Sequence, residues 1–163
     1  MKMTTLEDLY IEELRDIYSA ENQIIKALPK MAKAAGSPEL KAAFQEHLAQ
    51  TRIQVERLDK IFTKISKKAT GKKCKAMEGL IEEGKELLEM EAEPDVRDAA
   101  LISAAQKVEH YEIAAYGCVR TWAGMLGRGV DHGLRQFGQP FIRLAFLVEG
   151  LLQQRGVLVA AQH

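Results

Sequence analysis

The sequence has 163 residues, 47% of them hydrophobic and 28% charged, with 23 basic side chains balanced by 23 acidic ones. That length supplies one well-cored domain rather than two, and a net charge of zero argues against broad attraction to nucleic acid or an anionic membrane. No apolar run approaches the roughly 20 residues that span a bilayer; the opening MKMTTLEDLYIEELRD lacks the apolar segment of a signal peptide, and Cys74 and Cys118 form no C-x-x-C, so a cytoplasmic protein without a disulfide framework is expected.

Prolines and glycines divide the chain into five helical stretches. The first is predicted over about 5–34, with Thr4 or Thr5 as its cap, Glu7 and Asp8 favourable in its first turn, and a bend at Pro29. Gly36 and Ser37 close it, and Ser37 caps a second helix over about 38–66 with Pro38 at its first position. KKATGKKCK then reads as a solvated basic loop around Gly71, with both cysteines expected unpaired and partly buried. A short helix is expected over about 74–91 and a long one over about 95–126. A turn over 127–133 leads to a last helix over about 140–159. Two long helices, a crossover carrying a short one, and two more long helices make a single all-α domain, a ferritin-like four-helix bundle with one long crossover. A plain helical bundle used for dimerisation is the alternative.

Helical spacing assigns the core face. In the first helix Tyr10, Leu14, Ile17, Glu21, Ile24, Leu28 and Met31 form one stripe, apolar or aromatic except at Glu21. The second gives Leu40, Phe44, His47, Thr51, Gln54, Leu58, Ile61 and Ile65. The fourth gives Leu101, Ala105, Val108, Glu112, Ala115, Val119, Trp122 and Leu126, with Glu109 three residues before Glu112 on the same side. Each stripe therefore breaks near its midpoint, and in a bundle midpoints meet. A lone ionised carboxylate in a dry core costs several kcal/mol, so these groups need a cation, a proton or a partner. Carboxylates with an imidazole suit Fe or Mn. Read singly, Glu21 can snorkel to an edge or pair with a lysine, Glu109 and Glu112 can pair with Lys107, Arg120 or polar groups of the second helix, and His47 can be a hydrogen-bonded core histidine.

At these residues the chain resembles a known family. TTLEDLYIEELRDIYSAENQIIKALPKMAKAA, AFQEHLAQT, CKAMEGLIEEG and VRDAALISAAQKVEHYEIAAYG are similar to the bacterial YciF/YciE family of ferritin-like, stress-associated proteins, over about 4–126. The resemblance implies homo-oligomers, most simply dimers, and a carboxylate metal centre of two ions, with Glu21, His47, Glu109 and Glu112 at its ligand positions. It implies Fe or Mn and, should the protein be a catalyst, Fe(II) oxidation or peroxide reduction. An iron-storing cage is disfavoured. No nucleic-acid or membrane partner is expected. Two departures stand out. Gln50 replaces the glutamate of the family's H-L-x-E-T block. Beyond Leu126 the chain has no lysine, and only Asp131 and Glu149 are acidic, so the tail 127–163 is divergent or was read in a shifted frame. The competing reading is a non-enzymatic interaction protein with no metal site or a degenerate one.

Overall fold

The computed structural model describes residues 3–128. The turn expected beyond Arg128, the helix over 140–159, Glu149 and the reading-frame question lie outside them. Within the described residues there are four helices and no strand: α1 (Leu6–Ala34), α2 (Pro38–Lys64), α3 (Lys75–Glu89) and α4 (Pro94–Met125). The expected all-α architecture and its order of long and short elements are present. α1 lies against α2 and α4, and α3 packs against α1 and α4. No described helix is long and apolar enough to cross a membrane.

Local chemistry sets the helix ends. Thr5 accepts from the Asp8 amide while the Asp8 carboxylate accepts from the Thr5 amide, a reciprocal capping box that starts α1. Ser37 caps α2 ahead of Pro38, as the sequence indicates. The α1–α2 corner is also clamped from α4: Asp98 accepts from the amides of Gly36 (2.7 Å) and Ser37 (2.8 Å). α2 ends two residues earlier than expected, with Ser66 in the left-handed region (φ 54°). Lys67 N donates back to Phe62 O there, which satisfies a terminal carbonyl. Gly127 closes α4 in the same way at φ 64°.

The crossover bears out one expectation and corrects another. Its basic loop is exposed at most positions, as expected, with Lys72 paired to Asp16 (3.2 Å) and Arg15 donating to Lys68 O. The cysteines are not both partly buried. Cys74 is fully buried as the N-cap of α3, its sulfur accepting from the Met77 amide, whereas Cys118 is exposed.

The core forms two apolar clusters. One gathers Leu14, Ile17, Leu58, Phe62 and Val119 with their neighbours. The other gathers Ile24, Leu28, Phe44, Met77 and Leu101. On α1, α2 and α4 alike, the first cluster uses one end of the helix and the second uses the other.

Candidate metal centre

Between the clusters the three long helices each contribute polar side chains at the same level. α1 supplies Glu21; α2 supplies His47, Thr51 and Gln54; α4 supplies Glu109 and Glu112. All six are buried, Glu21 and Glu112 to within 1% of complete enclosure. They lie on core stripes because the helical period that places Ile17, Phe44 and Leu101 inward carries these positions inward too.

His47 stands between the paired glutamates of α4. Its Nδ1 is 3.3 Å from Glu109 Oε1 and its Nε2 is 3.7 Å from Glu112 Oε2. One donor atom from each of His47, Glu109 and Glu112 falls within 4.8 Å of the other two. Among the described residues, Glu109 Oε2 and both Glu112 oxygens accept no hydrogen bond from a conventional donor. Buried carboxylate oxygens in that condition are rare in native proteins and indicate a missing proton or cation.

Glu21 stands apart from this trio and is differently treated. The Tyr116 hydroxyl donates to its Oε1 at 2.6 Å. With the amide nitrogen of Gln54 turned toward it, Gln54 donates to Oε2 and Oε1 at 3.1 and 3.2 Å. Glu21 also faces Glu112, and two carboxylates can bond each other only if one carries a proton.

Burial dominates the proton affinities. It raises Glu21 well above the usual carboxylate range, the Glu112 charge adding to the rise and Tyr116 opposing it. It raises Glu112 likewise, with Glu109 adding to it. Glu109 is pushed up to about 7 by burial, with His47 pulling it down and Glu21 raising it. Three acids that resist ionisation in a confined volume form a site that discharges its strain by holding protons or a cation.

The four residues singled out in the sequence therefore lie in one layer, three as a cluster and Glu21 beside it. Neither Lys107 nor Arg120 reaches them; Lys107 pairs with Glu83 on α3 instead. Gln50 turns to Glu46 on the same helix, donating at 3.2 Å. Tyr116 is the member that helical spacing did not single out. It sits four residues after Glu112 on a mostly apolar face, where a tyrosine reads as bulk. A second polar set also went unread. The Cys74 thiol lies 3.1 Å from the Tyr111 hydroxyl, which donates to Asp16 at 2.6 Å.

The donor set can be tested against a metal. Two carboxylates and one imidazole are an oxygen–nitrogen set suited to Fe, Mn or Zn, and two negative charges neutralise one divalent ion. The residues fit a single ion. For two ions the described carboxylates are too few, since only Glu21 remains and it is already hydrogen-bonded.

A family model described as "Domain of unknown function (DUF892)" matches residues 5–135. Protein YciF of Escherichia coli (strain K12) is 52% identical over 128 residues, which are 78% of this chain and 77% of that protein. The crystal structure of the E. coli stress protein YciF matches with a TM-score of 0.87 at 44% identity, covering 93% of this chain and 99% of that one. YcfI from Rhodopseudomonas palustris matches with a TM-score of 0.79 at 42% identity, covering 92% and 94%.

Proposed function

The chain belongs to the DUF892 family of YciF-like stress proteins, and from that premise we propose that its bundle is a metal-binding scaffold whose His47, Glu109 and Glu112 hold one divalent ion, Fe or Mn. The observation that carries the reading is the trio itself: three buried donor atoms within 4.8 Å of one another, with carboxylate oxygens that accept no conventional hydrogen bond. The structural match to the E. coli stress protein supports a role in stress for this chain as well.

In this reading each residue has a definable task. Glu109 and Glu112 supply the charge. His47 supplies a nitrogen, its Nδ1 on the Glu109 side and its Nε2 on the Glu112 side. Thr51, whose hydroxyl donates to His47 O at 2.9 Å, ties up the helix backbone at that turn. Glu21, held by Tyr116 and Gln54, is the proton store beside the ligands. The flanking apolar clusters exclude water, which strengthens every charge interaction between them. The chemistry such an ion supplies is one-electron exchange with oxygen or peroxide, so an oxidase or peroxide-reducing activity follows as the finer form of the proposal. Assembly as a homodimer belongs to the same reading, supported by exposed apolar side chains on the long helices, Ile53, Val96 and Ile113; sedimentation velocity tests it, and a monomer would remove it.

Elemental analysis after Fe(II) or Mn(II) loading tests the core claim, with Glu109→Gln/Glu112→Gln beside the parent chain. About one ion per chain, lost in the double variant, is the expected result. No ion in either protein rejects the proposal and favours the interaction-protein reading, in which the layer is held by shared protons.

A further inference from the structure

Away from the trio, a cavity of about 210 Å³ opens between α1, α3 and α4 and reaches inward to His47. Its walls are apolar apart from Gln23, His47 and three lysines, Lys26, Lys30 and Lys85. No carboxylate lines it, in a chain whose acids and bases are equal in number. The lysines are exposed and His47 is buried, so the positive charge sits at the mouth and the apolar surface runs inward. Lys85 is engaged by Glu82 at 2.6 Å, whereas Lys26 and Lys30 make no ion pair with a described residue.

One position shows that the space is real. Gly84 of α3 is buried and lines the cavity, yet a Cβ added there would meet nothing within 4 Å. A buried helical residue ordinarily packs against a neighbour. Here the added carbon projects into open volume.

A cavity with an apolar wall, a cationic mouth and no acid selects a ligand with an apolar body and one negative end. A dry cavity of about 150 Å³ accepts benzene, so by proportion this one accepts about eight saturated carbons. We propose that the α1–α3–α4 cavity binds a free, unbranched medium-chain monocarboxylate, its chain along the wall toward His47 and its carboxylate between Lys26 and Lys30. The cavity shares only His47 with the metal trio, and the proposal does not depend on a bound ion.

The test is calorimetric titration of the full chain with octanoate, hexanoate and octan-1-ol. Chelator is present throughout, so that carboxylate coordination of an ion contributes nothing. Octanoate is expected to bind at one per chain. Hexanoate should bind about fifteenfold more weakly, two methylenes being lost from apolar burial. Lys26→Gln/Lys30→Gln should weaken octanoate about fivefold, as loss of two surface ion pairs does, and leave octanol unchanged. Gly84→Leu should lose both ligands while keeping the parent melting temperature. Where Gly84→Leu does not fold, Gly84→Ala should weaken octanoate through its smaller cavity. Three results overturn the proposal: no saturable binding of octanoate, binding unchanged in the folded Gly84 variant, or a lysine variant that affects octanoate and octanol alike. The last would mean non-selective partition into an apolar surface.

Discussion

At the two ends of the described bundle the helices meet through side chains such as Leu14, Phe44, Leu58 and Leu101, none with measurable exposure. Halfway along, the same three helices bury Glu21, His47, Glu109 and Glu112 almost as deeply, at 5% exposure or less. The ends need only shape, because apolar surface leaves water in proportion to its area. The middle layer needs a counter-charge as well, and packing cannot supply it. The difference teaches that equal burial is no sign of equal purpose: one region gives stability, and the other draws on it.

The comparison is sharpened first by stability. Phe44→Ala should destabilise the metal-free protein by about 3–5 kcal/mol through a lost side chain and its cavity, as read by urea unfolding. Glu112→Leu, at the same depth, should leave metal-free stability unchanged or raise it, since it replaces a buried carboxyl group, whose oxygens accept no conventional hydrogen bond, with an apolar side chain of similar volume. Should Glu112→Leu cost as much as Phe44→Ala, the polar layer would be a structural network and the contrast would collapse.

Metal affinity separates the regions next. Glu112→Leu should weaken Mn(II) binding by more than about a hundredfold, because even the loss of supporting groups around a ligand costs 10–100-fold. Val119→Ala, in the apolar end, should leave the affinity within about twofold of the parent at sites this independent. Equal losses in the two variants would show that binding follows general stability instead of the trio.

A pH effect comes third. Glu109 is raised in the folded chain to about 7 from an ordinary 4.5. Between those values the folded state holds a proton that the unfolded state has released, so stability falls as pH rises through the window. Metal-free protein should lose about 5 °C of melting temperature between pH 5 and pH 7.5, and Glu109→Gln should reduce that slope without abolishing it, since burial raises Glu21 and Glu112 as well. Metal affinity should run the other way, tightening as pH rises toward 7, because the ion replaces the proton. A melting temperature that rises with pH in the metal-free chain would contradict the environment assigned to Glu109.

The smallest effect belongs to Tyr116→Phe, which removes one donor from Glu21 while keeping the ring's packing. About 1–2 kcal/mol of stability is expected to go, with the metal still bound. Loss of the metal in this variant would promote Glu21 from neighbour to ligand.

Much of this was legible in the chain itself. Glu21, His47 and Glu112 interrupt otherwise apolar stripes, and Thr5 and Ser37 announce helix starts. Less legible were side chains whose roles depend on another helix. Asp98, near the start of α4, carries no signal in the sequence, yet it clamps the α1–α2 corner. Cys74 reads as an unpaired, partly buried thiol at the edge of the basic run, yet it is fully buried as a helix cap beside Tyr111. Lys72 belongs to an apparently solvated run, yet it is drawn to Asp16.

The sequence by itself determined the four described helices and the inward face of the three long ones, because a period of 3.6 residues binds spacing to direction once the apolar positions are known. It also determined that polar groups would lie midway along three of those faces. Which of them touch was decided only by the tertiary structure. Tyr116 reaches Glu21 across 95 positions of chain, and His47 lies between Glu109 and Glu112 on a helix that it does not adjoin in sequence. Such meetings depend on how the helices slide and rotate against one another as the apolar ends close-pack, and the periodicity of any one helix carries no record of that.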